Sequence, residues 1–466
     1  MLIRNADVAG RGTVDIRCDA GLITAVGADV PPLVGEEDLD VSGARVMPGL
    51  HDHHIHLRSL AATADSVRAG PPAAQGIDEL RGLLRDAAAA MPPGTWLRGF
   101  GYHESVAGPL SRDDLDTFVA DRPLRIQHRS GALWMLNGAA CRAIGLDDRD
   151  LPGVERDSAG LATGRLWRMD SWLRDLVPTT PPDLGRVSRL AAARGVTGFT
   201  DATPGMAQSS VDDLAEAVRA GVIMQRVHCM STPDIRTPDA PRADTADRFT
   251  LGPTKILLDD DRLPTLPELT ATIATAHRAG KPVAVHCVTR IQLIITMTAL
   301  EEAGILPGDR IEHGAMVPEE CFAWFRDHAV PIITQPNFPL ERAEQYRTEV
   351  PDEERPDLWR LGTLRSAGVP VAAGTDAPFG DPDPWLAIHA AATCHSGRAR
   401  NETVSPAVAL ELFHGFADDP TVSRTITPGA PADLVVVRAT PDDIRDHPTA
   451  IEVAATIIGG VPVHLA

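Results

Sequence analysis

Lysine is almost missing from this chain of 466 residues: Lys255 and Lys281 are its only two, and arginine carries the rest of the positive charge. Positive charge is itself in short supply. The 44 basic residues face 64 acidic ones, leaving a formal charge of -20, which argues against nucleic acid or an anionic membrane as a partner. No apolar run approaches the ~18 residues of a membrane span. The opening Met1-Leu2-Ile3-Arg4-Asn5-Ala6-Asp7 lacks the basic and apolar regions of a signal peptide. The cysteines at 18, 141, 229, 287, 321 and 394 show no pair spacing. That excludes a disulfide framework and suggests a cytoplasmic protein.

What is present is a soluble globular composition, 43% apolar and 23% charged, with ample core for a large domain. Its most unusual stretch is Met47-Pro48-Gly49-Leu50-His51-Asp52-His53-His54-Ile55-His56-Leu57, where four of eleven residues are histidine. On a strand, residues two apart share a face, so His54 and His56 would project side by side into one space, as a first-row metal requires. Two histidines alone do not hold a catalytic metal, so the remaining ligands have to come from elsewhere in the chain.

Residues 1–46 alternate apolar and polar positions in short runs punctuated by Gly, Asp and Pro, and 425–466 has the same texture. Both ends together predict one composite β-sandwich domain. Between them, 47–424 predicts a barrel, with an insertion at about 57–190 expected to shape a pocket. Within the insertion, Asp78 to Met91 and Trp134 to Gly145 read as helices, and Trp96–Phe100 and Leu124–His128 as strands.

From about 190 a rhythm takes over: helical sequence ends at a glycine (Gly195, Gly221, Gly280, Gly304, Gly368) and a short apolar strand follows. With Thr254–Leu258, Ile332–Gln335 and the histidine stretch, eight strands result. Near-continuous apolar strands alternating with helices imply a parallel sheet buried on both faces. Eight of them favour an α/β fold of the (β/α)8 TIM-barrel type, and no Gly-rich dinucleotide loop follows the first.

In such barrels chemistry lies at the C-terminal strand ends. There the chain carries His54 and His56 on the first strand, Lys255 on the fourth, His286 on the fifth, His313 on the sixth and Asp376 on the eighth. These six are the candidate metal ligands, sufficient for one or two divalent ions, zinc first among them. A protonated lysine has no lone pair, so Lys255 would have to react with carbon dioxide and become a carbamate able to bridge two cations. Cys229 is a weaker rival ligand. His228, His389, His395, His414 and Cys287 read as structural.

With these residues in view, the chain resembles the amidohydrolase superfamily, in the branch labelled amidohydrolase family 3 (the YtcJ-like proteins and N-substituted formamide deformylases). The resemblance rests on Val46-Met47-Pro48-Gly49 leading into Asp52-His53-His54-Ile55-His56, on Lys255-Ile256, His286, Arg310-Ile311-Glu312-His313, Gly374-Thr375-Asp376-Ala377-Pro378, Pro382–Ile388 and Pro428–Leu434. It implies a metal-dependent hydrolase built as a barrel with a terminal β-sandwich. Departures cluster in loops and insertion: Leu257-Leu258-Asp259 where Asp-Gly often follows the lysine, His286-Cys287-Val288-Thr289-Arg290 for His-x-x-Gly-Asp, and Ser130-Gly131-Ala132 where a histidine is common. In Thr163-Gly164-Arg165-Leu166-Trp167-Arg168 the glutamate that often follows Thr-Gly is also unmatched. The metal residues are kept while the usual substrates are not implied.

The expected reaction is hydrolysis of an amide or related C–N bond of an N-acyl or N-formyl amine, with Asp376 as the proton-transferring group. The alternatives are a mononuclear hydrolase of another ester or ring amide, and a metal-dependent lyase or isomerase on the same barrel. Trp134, Asn337, Phe338 and Phe379 are candidate pocket residues, suited to an apolar substituent. The expected partner is a small-molecule substrate, with homo-oligomerisation left open.

Overall fold

Eight short apolar runs become eight parallel strands because each is covered on both faces, and before five of them a glycine at the end of the preceding helix turns the chain toward the strand. In the computed structural model, which describes residues 1–178, 181–238, 248–393 and 402–466, the strands are β1 (Leu50–Ile55), β2 (Val196–Asp201), β3 (Arg226–Ser231), β4 (Phe249–Ile256), β5 (Val283–Cys287), β6 (Arg310–His313), β7 (Ile332–Thr334) and β8 (Val371–Ala373). They lie side by side in chain order in one sheet. Cys394 and His395 lie outside the described residues. Gly195, Gly221, Gly280, Gly304 and Gly368 all have φ between +71° and +81°, a positive φ that glycine adopts without steric cost. The fourth strand begins earlier than its apolar core suggests, at Phe249, and pairs with β3 from there.

The barrel closes at its mouth. No ladder joins β8 to β1, but the Asp376 N–H donates to the His54 carbonyl (2.7 Å) and the His56 N–H to the Ala377 carbonyl (2.9 Å). Buried Asp52 reinforces the seam by accepting from the Thr375 N–H (2.9 Å) and hydroxyl (2.5 Å). At Gly374 a Cβ would lie 2.4 Å from the His54 nitrogen, so this approach of backbone to backbone requires glycine. Against β2, the histidine strand is irregular: Phe199 faces Asp52, yet Asp201 faces Ile55. A bulge of this kind re-aims the residues that follow it.

Both termini contribute to a second sheet, ordered Val461–Leu465, Val453–Ile458, Leu434–Val437, Arg45–Pro48, Leu2–Val8, Gly12–Asp19, Leu22–Gly27, with Asp38–Asp40 on the flank of Leu2–Val8. Ile23 exchanges backbone hydrogen bonds with Ala430 and Gly429, bending the sheet over a core that includes Ile3, Ile16, Leu434 and Ile457.

Residues Arg58–Asp183 form a separate compact unit with its own six-stranded sheet, ordered Val154–Arg156, Ala162–Trp167, Leu133–Leu136, Leu124–His128, Leu97–Tyr102, Val67–Arg68. The helix expected over Asp78 to Met91 runs over Ile77–Ala90 and buries Leu80, Leu84 and Ala88. The reading of Trp134 to Gly145 as one helix is corrected. Leu133–Leu136 is a strand between two partners, and the helix covers only Gly138–Ile144. Buried Asn137 makes the break: its Oδ1 accepts from the Ala140 and Leu124 N–H groups, and its Nδ2 donates to the Val119 and Arg122 carbonyls. That is an N-cap built into a strand end.

Candidate metal centre

Each of the six candidate ligands stands at or just beyond a strand end, where an alternating strand presents every second side chain to the interior. Two of them break that alternation. His313 and Asp376 have φ of +70° and +55°, a conformation uncommon for residues with a Cβ and concentrated at functional sites. The twist at His313 lets it point inward directly after inward-pointing Glu312.

His54, His313 and Asp376 are buried, and their ligand atoms all lie within 4.8 Å of one another. The His56 Nε2 is 3.1 Å and the His54 Nε2 3.4 Å from the same Asp376 oxygen, Oδ1. The His286 ring packs edge-on against His313, centroids 4.6 Å apart. Lys255, paired in register with Ala284 of β5, is buried with no hydrogen-bond partner at Nζ. The two lysines therefore differ sharply. Lys281 donates to the Ser231 hydroxyl and the Thr232 and Ile235 carbonyls and so anchors the loop after β3. Lys255 is desolvated, and burial above all lowers its pKa, against the pull of the Glu312 and Asp376 carboxylates.

Three residues that the strand pattern did not single out meet the Nδ1 atoms of these rings, and two of them fix where the proton sits. A carboxylate only accepts, so buried Glu312 takes a hydrogen bond from the His54 Nδ1 and leaves the Nε2 lone pair facing Asp376. Gln335 does the same for His313: its amide donates to the Ile333 carbonyl, so its oxygen accepts from the His313 Nδ1 at 2.7 Å. Thr203 meets the His56 Nδ1 at 3.4 Å. Metal-binding histidines are oriented in this way through the nitrogen that does not ligate. Glu312 lies next to a predicted ligand on a strand, and simple alternation sends it to the wrong face, which is why the strand pattern gives it no role at the site although it belongs to the quoted motif.

The charge states agree. Burial holds His54 and His286 below the usual imidazole range and pushes His313 down to about 3, so all three are neutral with lone pairs available. Burial pushes Asp376 up, but His54, His56 and His313 outweigh it and the group is an anion. The Asp376 Oδ1 makes no hydrogen bond despite its two close nitrogens. The His54 ring, its proton held at Nδ1 by Glu312, faces this oxygen with its Nε2 lone pair, and a cation between the two would satisfy both. The donor set fits a divalent metal.

The other candidates fall outside this group. The Cys229 thiol turns to the Met230 carbonyl, Cys287 to Thr296, and the His228 Nδ1 to the Thr250 hydroxyl. His414 is buried, and no hydrogen bond reaches its Nε2. Phe379 lies edge-on to His56, centroids 5.2 Å apart. Phe338 is buried in an apolar cluster with Ala315, Met316, Leu358 and Trp359, against which Phe379, Val288 and Tyr346 pack. Buried Asn337 braces the Thr375 carbonyl and Glu341. Trp134 belongs to the core of the Arg58–Asp183 unit, its indole N–H on Asp170.

A statistical description of the amidohydrolase family matches residues 38–464. The N-substituted formamide deformylase of Arthrobacter pascens is 23% identical over 89% of this chain and 88% of its own length. The YtcJ protein of Bacillus subtilis is 22% identical over 92% and 90%. Among solved structures, an uncharacterized metal-dependent hydrolase from Pyrococcus furiosus superposes with a TM-score of 0.71 at 21% identity, covering 94% of this chain and 99% of that one.

Proposed function

The chain belongs to the amidohydrolase family, and from that premise we propose that it is a metal-dependent hydrolase of non-peptide amides or related C–N bonds. The ligand set proposed is His54, His56, Lys255, His286, His313 and Asp376, holding one or two divalent ions, zinc first, with Lys255 as its carbamate when two are bound. The observation that carries the reading is the unbonded Asp376 oxygen facing two imidazole nitrogens beside a buried lysine without a partner.

The metal supplies, when bound, the positive charge that activates a water and polarises a carbonyl. Asp376 is an anion in reach of that position and accepts the proton the water loses as its oxygen bonds to the carbonyl carbon. When the C–N bond breaks, Asp376 returns the proton to the leaving nitrogen, giving a carboxylic acid and an amine. Glu312 and Gln335 keep His54 and His313 in the tautomer that leaves each Nε2 free. Phe379, Val288 and Tyr346 border the apolar cluster next to the ligands, which favours a substrate with an apolar or aromatic substituent. The N-substituted formamide deformylase supports N-formyl amines as the first class to try.

The test is a panel of N-acyl and N-formyl amines incubated with purified protein in labelled water, with metal counted per chain. Hydrolysis with label in the acid, dependent on added divalent metal, is expected. Turnover without label would point to a lyase or isomerase, and turnover unaffected by chelation would overturn the metal reading.

A further inference from the structure

We infer that Glu312 is a positioning residue of the metal centre, a buried anion that reaches His54 across the barrel and sets the direction of its lone pair. The inference rests on the metal reading above and extends it to a residue outside the ligand set.

Three observations carry it. Glu312 sits on β6, whose neighbours in the sheet are β5 and β7. Its contact with His54 of β1 therefore spans the barrel interior and joins positions 258 residues apart. Glu312 and His54 are 0% and 1% exposed, so neither gains from water what it lacks from the other. The two carboxylate oxygens also have separate duties: Oε1 accepts from the Arg310 Nε at 2.6 Å and Oε2 from the His54 Nδ1. Arg310 donates in addition to the His53 carbonyl at 3.4 Å, so the cation that steadies Glu312 is tied to the strand carrying His54.

A buried carboxylate is costly unless it is paired and hydrogen-bonded, and Arg310 answers that cost. What Arg310 does not need is the second oxygen, which is free to hold the imidazole. An imidazole donating from Nδ1 to an anion is a more basic ligand at Nε2 than one donating to a neutral group. Glu312 thus acts through His54 and touches neither substrate nor metal.

A purely structural pair and a positioning pair predict different results when both members are replaced together by apolar residues. Removing both charges spares the fold the penalty of a lone buried ion, so Arg310→Met/Glu312→Leu should fold with a melting temperature close to wild type. If Glu312 positions His54, this double variant and Glu312→Gln lose about 10- to 100-fold in affinity for cobalt(II), measured by chelator competition on the full chain. The visible absorption bands of the bound cobalt should shift with it. Affinity within about twofold of wild type with unchanged bands, for a folded double variant, would overturn the inference. A variant that fails to fold does not protect it, because the wild-type protein offers an independent measurement. In metal-free protein with 15N-labelled histidine, the His54 resonances, assigned by their loss in His54→Ala, should show Nδ1 protonated and Nε2 bare; the reverse tautomer would overturn it. Wild-type protein that takes up no cobalt would sink the metal reading itself, and the tautomer would still decide the role of Glu312.

Discussion

Among the described residues, two places gather two histidines and a carboxylate within 4.8 Å, and they differ in which ring nitrogen is left free for a metal. At the barrel mouth the group is His54, His313 and Asp376; in the Arg58–Asp183 unit it is His103, Glu104 and His128. Each pairs two imidazoles with one carboxylate inside the same distance. The difference lies on the far side of each ring. At the mouth, Glu312 and Gln335 draw the proton to Nδ1 and free Nε2. In the other unit the Ser105 and Ser130 backbone N–H groups donate to Nδ1 of His103 and His128, so the proton of a neutral ring sits on Nε2. The His128 Nε2 then faces Glu104 at 2.9 Å as a donor, not a ligand. A constellation of ligand types is therefore incomplete evidence until the hydrogen bond on the other nitrogen is known.

The largest effect expected from this contrast is on metal content. His54→Ala should lose the metal and with it the turnover while leaving the fold intact, whereas His128→Ala should keep the wild-type metal count; elemental analysis of both proteins decides. Equal losses would erase the distinction between the two groups. Lys255→Ala should come next, lowering metal content and activity with partial recovery when a small carboxylic acid is added. Kinetics with and without acetate measure this, and an unaffected variant would remove Lys255 from the site.

A smaller effect extends the comparison to a histidine that is buried like those at the mouth but has a hydroxyl for its partner. Burial first, then Arg310, pushes His228 down to about 3, while an unfolded histidine titrates near ~6.5. Between those values the unfolded chain binds a proton that the folded chain refuses. Stability from this residue is intact above about pH 6.5 and drains away as the pH falls. His228→Gln should flatten the fall in unfolding free energy by up to about 1.4 kcal/mol per pH unit, read from urea titrations at a series of pH values from neutral downward. The smallest effect belongs to Glu104. His128 holds its carboxyl down at about 2, but the side chain is 39% exposed. Glu104→Gln should cost under about 1 kcal/mol at neutral pH, a difference that vanishes as acid protonates the wild-type carboxylate. A larger loss would mean that this group is more than a solvated ion pair.

Much of the architecture was legible before any coordinates. The glycine-stopped helices and apolar strands foretold the barrel because period and punctuation are local properties. The strand at Leu124–His128 was read to the residue for the same reason. Where the reading failed, at Trp134 to Gly145, the deciding interactions were distant: two neighbouring strands claim Leu133–Leu136, and Asn137 is held from Val119, Arg122 and Leu124.

The sequence by itself determined which residue types stand at the strand ends and in what order, because strand ends and ligand chemistry are both written along the chain. Only the tertiary structure decided that His313 and Asp376 turn inward through left-handed backbone, that Lys255 rather than Lys281 is left without a partner, and that Glu312 reaches His54 from the far wall of the barrel. These outcomes depend on side chains brought together from distant segments, and a proton's position on a ring is set by whichever of those neighbours can accept it.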